Sequence, residues 1–391
     1  MFTLHLAVYL LNFMMFWQTF ASLSLLYTYV APAAGDDLPE PPLPEPIAIT
    51  ELPLPPLAPG NATDSSSPDP ASIYNGLQVI IVKTDGTNFT HGDPWKCVTC
   101  GVPSESAQGA YLQYDYPQAF RDGKRLLIGK NVLDCGDSDL TSNGCIPDKT
   151  YIYSLRWSTA ADDSGAGSDF RELRLHPDQA HIEFNAFTTT ALGLGQYGYF
   201  ARISFNPSPT TGTPLAPRYD LVNITRLHNS SLPKTLTFSG DQLSLDPNAL
   251  YIGEARDFSG DGSEITYIGY SDESCNVDVF AAHLTTGAVR RLTSHPEYCD
   301  PLSFSPDNKW IAIMDTRGSG RQMFIAGMRG IPPIVDLIAN VLPASVRNNG
   351  PRRFFQPYLL DWYGDRGDHY GQKINGDGYG VAGSGSVDDP E

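Results

Sequence analysis

One pattern recurs along this chain and constrains its fold more than any other feature: a polar segment, a short apolar strand, a tight turn and a second strand. The clearest copy is DPLSFSPDNKWIAIMD, residues 300–315. Pro306 suits the first central position of the turn, and Asn308 tolerates a left-handed backbone there. Ile, Trp and Phe between turn residues are typical of strands. Three further segments share the pattern: residues 115–130, 181–205 and 254–270.

The spacing of the turns indicates repeated units. Asp261 and Asp307 are 46 residues apart, and Asp122 precedes Asp261 by 139, about three such steps. A period in the forties with four strands per unit is typical of a β-propeller. We therefore predict an all-β propeller of four-stranded blades over residues 76–391. Its glycine-rich end, residues 376–391, offers no final strand pair, so we expect the propeller to be incomplete at the C-terminus.

Two segments precede this domain. Residues 1–34 contain an apolar stretch from Leu6 to Val30 followed by Ala31-Pro32-Ala33, which favours a cleaved signal peptide and secretion. The stretch is also long enough to span a bilayer, so a retained membrane anchor is the alternative. Residues 35–75 are rich in proline, which predicts an extended linker without a packed core.

Charge and modification sites fit an extracellular protein. The formal net charge of −18 argues against nucleic-acid partners, because phosphate binding needs a basic surface. Four Asn-x-Ser/Thr triplets are candidate glycosylation sites: Asn61, Asn88, Asn223 and Asn229.

The six cysteines are even in number, which fits disulfides in an oxidising compartment. Cys135 and Cys145 fall in one loop, and Cys275 and Cys299 fall in loops expected at the same face, so we predict these two bridges. Cys97 and Cys100 form a CxxC for which a disulfide loop is favoured over a zinc knuckle or a redox motif.

The blade topology predicts which side chains share a face. Since consecutive strands of a blade are antiparallel, alternate connections lie at the same end. We expect one face, the mouth of the central channel, to carry the residues that precede each inner strand and those in the second loop of each blade. These residues are Asp115, His176, Asp178, His181, Glu254, Asp272, Glu273, Asp300, Asp315, Arg317 and Arg321. The turn residues Asp122, Asp261 and Asp307 are expected at the opposite face, with structural roles.

Several long strings resemble one family. They are GDPWKCVTCGVP, DYPQAFRDGKRLLIGKNVLDCG, RELRLHPD, PEYCDPLSFSPDNKW, MDTRGSGRQMFIAGMRGIPP and NNGPRRFFQPYLLDWYGDRG. From about Gly76 onward the chain resembles the fungal saponin hydrolases, which are related to TolB/WD40-like propellers. The resemblance implies a secreted glycosidase that acts on triterpenoid saponins such as soyasaponin, at the glucuronic-acid-linked sugar chain. The family extends further at its C-terminus, so the resemblance also implies a shortened member. It assigns no catalytic residue.

Glycoside hydrolysis requires two carboxyl groups, and the general acid needs a raised pKa. A glucuronate also calls for arginine, whose planar guanidinium matches a carboxylate. The catalytic candidates are Asp300, Asp315, Glu254 and Asp365, and the substrate-binding candidates are Arg317, Arg321, Arg353, His176, His181 and Trp362. Most of these residues also have a structural interpretation. They are Asp300 as a loop cap, Asp315 paired with Arg317, Arg317 and Arg321 in salt bridges between blades, Arg353 on the solvated surface, the histidines in hydrogen bonds at a strand entry, and Trp362 as a packing residue. No cofactor or metal is expected.

Two other functions fit the same scaffold. A uronate lyase would use His176 and His181 and release an unsaturated, ultraviolet-absorbing sugar. A non-catalytic propeller would bind glycans or proteins without turnover.

Overall fold

The structure is a computed structural model that describes residues 38–44, 52, 77–158, 167, 169–190, 193–227, 236–239, 242–245, 254–270, 277–295, 299–315 and 356–374. Within these ranges the secondary structure consists of twenty β-strands and two 3₁₀ helices, Ser104–Ser106 and Pro147–Lys149. Turn-punctuated runs of β-branched and aromatic residues explain this composition. The fold is therefore all-β, as the sequence predicts.

Sixteen of the strands form four antiparallel units of four, which we call blades 1 to 4. Blade 1 comprises β3 (Gln118–Ala119), β4 (Arg125–Ile128), β5 (Asn131–Asp134) and β6 (Tyr151–Arg156). Blade 2 comprises β7 (Phe170–Leu175), β8 (His181–Thr190), β9 (Gly193–Asn206) and β10 (Arg218–Arg226). Blade 3 comprises β13 (Ala255–Phe258), β14 (Glu264–Tyr270), β15 (Val277–His283) and β16 (Val289–Arg291). Blade 4 comprises β17 (Cys299–Phe304), β18 (Trp310–Asp315), β19 (Gln356–Asp361) and β20 (Gln372–Lys373).

Two hairpins complete the strands: β1 (Ile80–Val82) with β2 (Trp95–Cys97), and β11 (Leu236–Ser239) with β12 (Gln242–Leu245). Blades 1 and 2 are joined into one eight-stranded sheet by a short parallel pairing of β6 with β10.

The blades pack face to face through apolar clusters. Side chains alternate between the two faces of a strand, so β8 turns Ile182, Phe184 and Ala186 toward blade 1. There the Trp157 and Phe184 rings lie 5.2 Å apart. A second cluster, which includes Val279 and Ile311, joins blades 3 and 4. The inner strand β13 contacts β7 on one side and β17 on the other. Four-stranded sheets stacked in this way with their first strands adjacent are the architecture of a β-propeller.

The turn between the first two strands of each blade has the same construction four times. An aspartate side chain accepts a hydrogen bond from the backbone N–H two residues later, at 2.8–3.2 Å. The residue after each aspartate has a left-handed backbone, with φ of 69° at Gly123, 66° at Gln179, 75° at Gly262 and 59° at Asn308. The aspartates are Asp122, Asp178, Asp261 and Asp307.

This fourfold pattern corrects the predicted spacing. Asp178 is the turn aspartate of blade 2, and it lies 56 residues after Asp122 and 83 before Asp261. The interval from Asp122 to Asp261 is therefore two blades and not three. The longer interval is explained by the 14-residue strand β9 and by the β11–β12 hairpin between blades 2 and 3.

The four turns lie side by side at one end of the propeller. The Arg121 backbone N–H donates to the Gln179 side chain at 2.8 Å, which joins the turns of blades 1 and 2. His176 Nε2 donates to the Gly262 carbonyl at 2.9 Å, and the Gly260 N–H donates to the Asn308 side chain. These bonds link each turn to the next, and we call this end the turn face.

Candidate active site

At the opposite end, which we call the mouth, the inner strands of blades 2, 3 and 4 each carry an irregularity. The register shifts by one residue between Arg171 and Arg174, between Ala255 and Asp257, and between Cys299 and Leu302. Such bulges redirect side chains and are common beside active sites. At Glu172 the bulge includes a left-handed backbone with φ of 58°, a conformation that costs a non-glycine residue about 1–3 kcal/mol.

The bulges of blades 2 and 3 bring together two carboxylates and two guanidinium groups. Arg256 donates from Nη1 to Glu172 Oε1 at 2.7 Å and from Nη2 to Glu254 Oε1 at 2.8 Å. Arg171 Nη2 donates to the same Glu254 oxygen at 2.9 Å, and its Nη1 lies 3.2 Å from Glu172 Oε1. Asn185 donates to the second oxygen of Glu172 at 3.0 Å. We call these four charged residues the mouth cluster.

Depth divides the mouth cluster into two layers. Glu172 and Arg256 are buried, whereas the side chains of Arg171 and Glu254 are 44% and 19% exposed. Burial alone would raise the pKa of Glu172, but the charges of Arg256 and Arg171 outweigh burial and lower that pKa. The inner pair therefore remains ionised and holds the outer pair toward solvent.

Asp115 precedes the inner strand of blade 1 and lies close enough to Glu172 for the two charges to interact. Partial burial raises the pKa of Asp115; the Lys130 charge opposes that shift and the Glu172 charge adds to it. The Lys130 ammonium group pairs with Asp169 and lies 5.2 Å from the centre of the Tyr111 ring. The mouth thus combines a carboxyl group whose raised pKa suits proton donation, that of Asp115, with the partly exposed carboxylate of Glu254, which two guanidinium groups contact.

Behind the mouth cluster lies a carboxyl group that the sequence analysis missed. Glu183 in β8 is fully buried, and neither of its oxygens has a hydrogen-bond partner among the described residues. Burial raises the pKa of Glu183 well above its usual value, although the Arg174 charge opposes the shift. Asp257 on the neighbouring blade also has a pKa raised by burial. The signal in the sequence was the alternation of His181, Glu183 and Asn185 on one face of a strand that must pack on the next blade.

We predict that Glu183→Gln will stabilise the protein increasingly as the pH rises above about 4.3, the pKa of an unfolded glutamate. In the folded protein the raised pKa keeps Glu183 protonated, whereas the unfolded chain releases the proton. The wild type therefore loses up to about 1.4 kcal/mol of stability per pH unit in that window, and the glutamine variant does not. Urea unfolding of both proteins at pH 4 and pH 7 measures the difference. A stability gap that is the same at both pH values would contradict the prediction.

The fourth blade holds three of the predicted residues. Asp300 and Asp315 lie at the same end of β17 and β18, where Cys299 pairs with Asp315 across the two strands. Asp315 is fully buried, and its Oδ1 lies 4.0 Å from His295 Nδ1. Asp365 accepts backbone hydrogen bonds from Ser294 at 2.8 Å and His295 at 3.2 Å, which ties the connection after β19 to the end of blade 3.

The predicted binding residues are distributed differently. Trp362 packs beneath Arg290, whose guanidinium lies 4.0 Å from the ring centre, and against the Phe304 ring at 5.6 Å. These contacts match its structural interpretation. Arg317, Arg321 and Arg353 lie outside the described residues, as do Asp272 and Glu273.

The predicted position of His176, Asp178 and His181 is wrong. These residues form the turn between β7 and β8 and lie at the turn face, in register with Asp122, Asp261 and Asp307. The string HPDQAH shares Pro-Asp with SPDNK, but its two histidines obscure its likeness to that turn and to RDGK. The histidines are therefore separated from the mouth cluster by the length of the inner strand.

Two of the cysteine predictions are confirmed, and the glycosylation sites stay predictions. Cys135 is bonded to Cys145 as predicted, and Cys97 is bonded to Cys100 in the favoured disulfide loop. Cys299 is buried, and its predicted partner Cys275 lies outside the described residues. Asn88 and Asn223 are exposed, while Asn61 and Asn229 fall outside the described ranges.

The segments before the propeller are also outside the described ranges, apart from residues 38–44 and 52. Among the residues with a described position, no helix has the length and apolar character needed to cross a bilayer.

The class of protein that these blades define is a β-propeller. A solved structure described as "putative TolB from Agrobacterium tumefaciens" is similar to this chain, with 14% identity and a TM-score of 0.29. The similarity covers 72% of this chain and 87% of that one. No model of a known protein family matches the chain, and no curated protein matches it. The functional proposal therefore depends on the residues of this chain.

Proposed function

We propose that this protein is an extracellular glycoside hydrolase that removes the glucuronosyl-linked sugar chain from triterpenoid saponins such as soyasaponin. The observation that carries the proposal is the mouth cluster near Asp115, where a carboxyl group with a raised pKa shares a face with a partly exposed carboxylate, Glu254, and a partly exposed arginine, Arg171. The string-level resemblance to saponin hydrolases supplies the substrate class.

Each group at the mouth has a role in this proposal. Asp115 protonates the leaving oxygen, since its raised pKa favours the protonated form. Glu254 is the second carboxylate, which attacks the sugar or activates water. Arg171 binds the glucuronate carboxylate through its guanidinium, which is 44% exposed. Glu172 and Arg256 position Arg171 and Glu254 through the hydrogen bonds described above.

The test is incubation of the full-length, glycosylated protein with soyasaponin, followed by chromatography of the products. We expect release of the aglycone together with a saturated sugar chain. An unsaturated, ultraviolet-absorbing sugar would instead identify a uronate lyase, and saturable binding without turnover would identify a non-catalytic propeller. Absence of both release and binding would overturn the proposal.

A uronate lyase would also require the two histidines to act in the reaction. It requires His176 and His181 near the substrate, whereas both lie at the turn face. Under our proposal, His181→Gln therefore leaves aglycone release within about twofold of the wild type, as for a surface change remote from the site.

A further inference from the structure

We propose that His176, Asp178 and His181 form a binding site for one divalent transition-metal ion, of which Zn²⁺ is the best match. The site lies in the turn between β7 and β8, at the turn face. It is independent of the proposed glycosidase activity.

The geometry supplies three ligand atoms from three residues. One ligand atom from each residue lies within 4.8 Å of the other two. Asp178 Oδ1 is 3.1 Å from His176 Nδ1, and Asp178 Oδ2 is 2.6 Å from His181 Nδ1. Two imidazoles and a carboxylate with one position left for water are a donor set that Zn²⁺ accepts. Zinc ligands are about 3.4 Å apart when each is about 2.1 Å from the ion, so the separations of these three atoms must change by no more than about 1.4 Å to bind it.

The surroundings of His176 fix which nitrogen can bind an ion. Its Nε2 lies 2.9 Å from the Gly262 carbonyl, which can only accept, so this nitrogen carries the proton. The lone pair of Nδ1 therefore faces Asp178, where it accepts the Asp178 backbone N–H at 3.1 Å. A bound ion would replace this hydrogen bond. A metal-binding histidine typically donates its other N–H to a carbonyl or carboxylate in this way, which sets the tautomer and the ring orientation.

The other three turns show that the fold does not need these imidazoles. The turn aspartate is contacted by a hydroxyl group in blades 3 and 4, from Ser259 and Ser305 at 2.7 Å each. In blade 1 it is contacted by Arg125 Nε at 2.7 Å. All four turns keep the same backbone–backbone hydrogen bonds, and these do not involve the histidine side chains of blade 2. The imidazoles are therefore additional donor groups, one of which, His176 Nδ1, also accepts the Asp178 backbone N–H.

The site is rigid on one side and open on the other. The His181 ring stacks on Phe200 at 5.0 Å, and the His176 ring packs edge-on against Phe258 at 4.8 Å. The side chains of Asp178 and His181 are 41% and 32% exposed, which gives an ion access from solvent. Because His176 also bonds to Gly262, a bound ion would tie the turn of blade 2 to that of blade 3.

The experiment uses the untagged full chain, treated with a chelator and then titrated with Zn²⁺ alone. We expect one ion per chain by calorimetry and a Tm that rises with Zn²⁺ concentration. We expect His176→Gln and His181→Gln each to weaken binding at least about tenfold, since direct ligands matter no less than their outer-shell partners. Co²⁺ provides a spectroscopic probe, because its visible absorption reports imidazole coordination.

The matched control is His283→Gln. His283 also sits at a strand-connecting turn, where its Nδ1 accepts backbone hydrogen bonds from Thr285 and Thr286 at 3.2 Å each. This variant should bind Zn²⁺ like the wild type. No saturable binding, or binding by His181→Gln equal to that of the wild type, would overturn the proposal. If His176→Gln does not fold, the more exposed His181 variant decides the question.

Discussion

Replacing Glu254 by glutamine is expected to lower kcat for aglycone release by about 10²–10⁴-fold, the usual contribution of a positioned acid–base or nucleophilic group. Glutamine keeps an oxygen that can accept from Arg171 and Arg256, so the mouth cluster retains its shape. It loses the negative charge and the basicity that attack on the sugar or activation of water requires. Steady-state kinetics with soyasaponin, together with a Tm for each protein, measures the effect.

Glu264→Gln is the matched control for this variant. Glu264 also accepts hydrogen bonds from a guanidinium, with Arg290 Nε at 2.9 Å and Nη2 at 2.6 Å, but it lies beside the turn of blade 3 at the turn face. Its activity should stay within about twofold of the wild type, as expected for a residue remote from the substrate. Equal activity of Glu254→Gln and the wild type would show that Glu254 is not a catalytic residue. The proposed mechanism would then lack the second carboxyl group that it requires beside Asp115.

Replacing Arg256 by methionine is expected to cost about 3–5 kcal/mol in the free energy of unfolding at pH 7. The change removes the shortest ion pair of the buried Glu172, which keeps only the Asn185 hydrogen bond and the charges of Arg171 and Arg174, and it removes one of the two donors to Glu254. A poorly compensated buried charge is the reason for the size of the effect, since the remaining groups offset less of the desolvation of Glu172. Urea denaturation of the variant and the wild type measures the loss.

The pH dependence of this loss follows from Glu172. Its pKa is lowered in the folded protein, so it contributes stability above about 4.3, the unfolded value, and that contribution disappears as the pH falls through the folded pKa. The difference in the free energy of unfolding between the wild type and Arg256→Met should therefore become smaller at acidic pH.

Lys309→Met is the control variant, because the side chains of its ion pair with Asp307 are 65% and 44% exposed and the pair should contribute no more than about 1 kcal/mol. A loss below 1 kcal/mol in Arg256→Met would show that the mouth cluster does not hold blades 2 and 3 together.

Local chemistry explains the correct sequence predictions. The turns at Asp122, Asp261 and Asp307 depend on hydrogen bonds that reach only two or three residues along the chain, so the residues themselves specify the turn. The Cys135–Cys145 bridge closes a short loop and was predictable for the same reason. Strand alternation in β18 likewise buries every second residue, from Ile311 to Asp315.

The sequence by itself therefore determined the repeated unit: strands of alternating polarity joined by aspartate turns, and hence an all-β propeller of four-stranded blades. Only the tertiary structure decided which charges meet at the mouth. Glu172 and Arg256 are 84 residues apart, and they pair because bulges in two neighbouring inner strands turn both side chains into the same interface. A bulge shifts every later side chain by one position, and neither its place nor its partner is encoded in a short motif. The same packing of one blade on the next buried Glu183 and set His176 against Gly262.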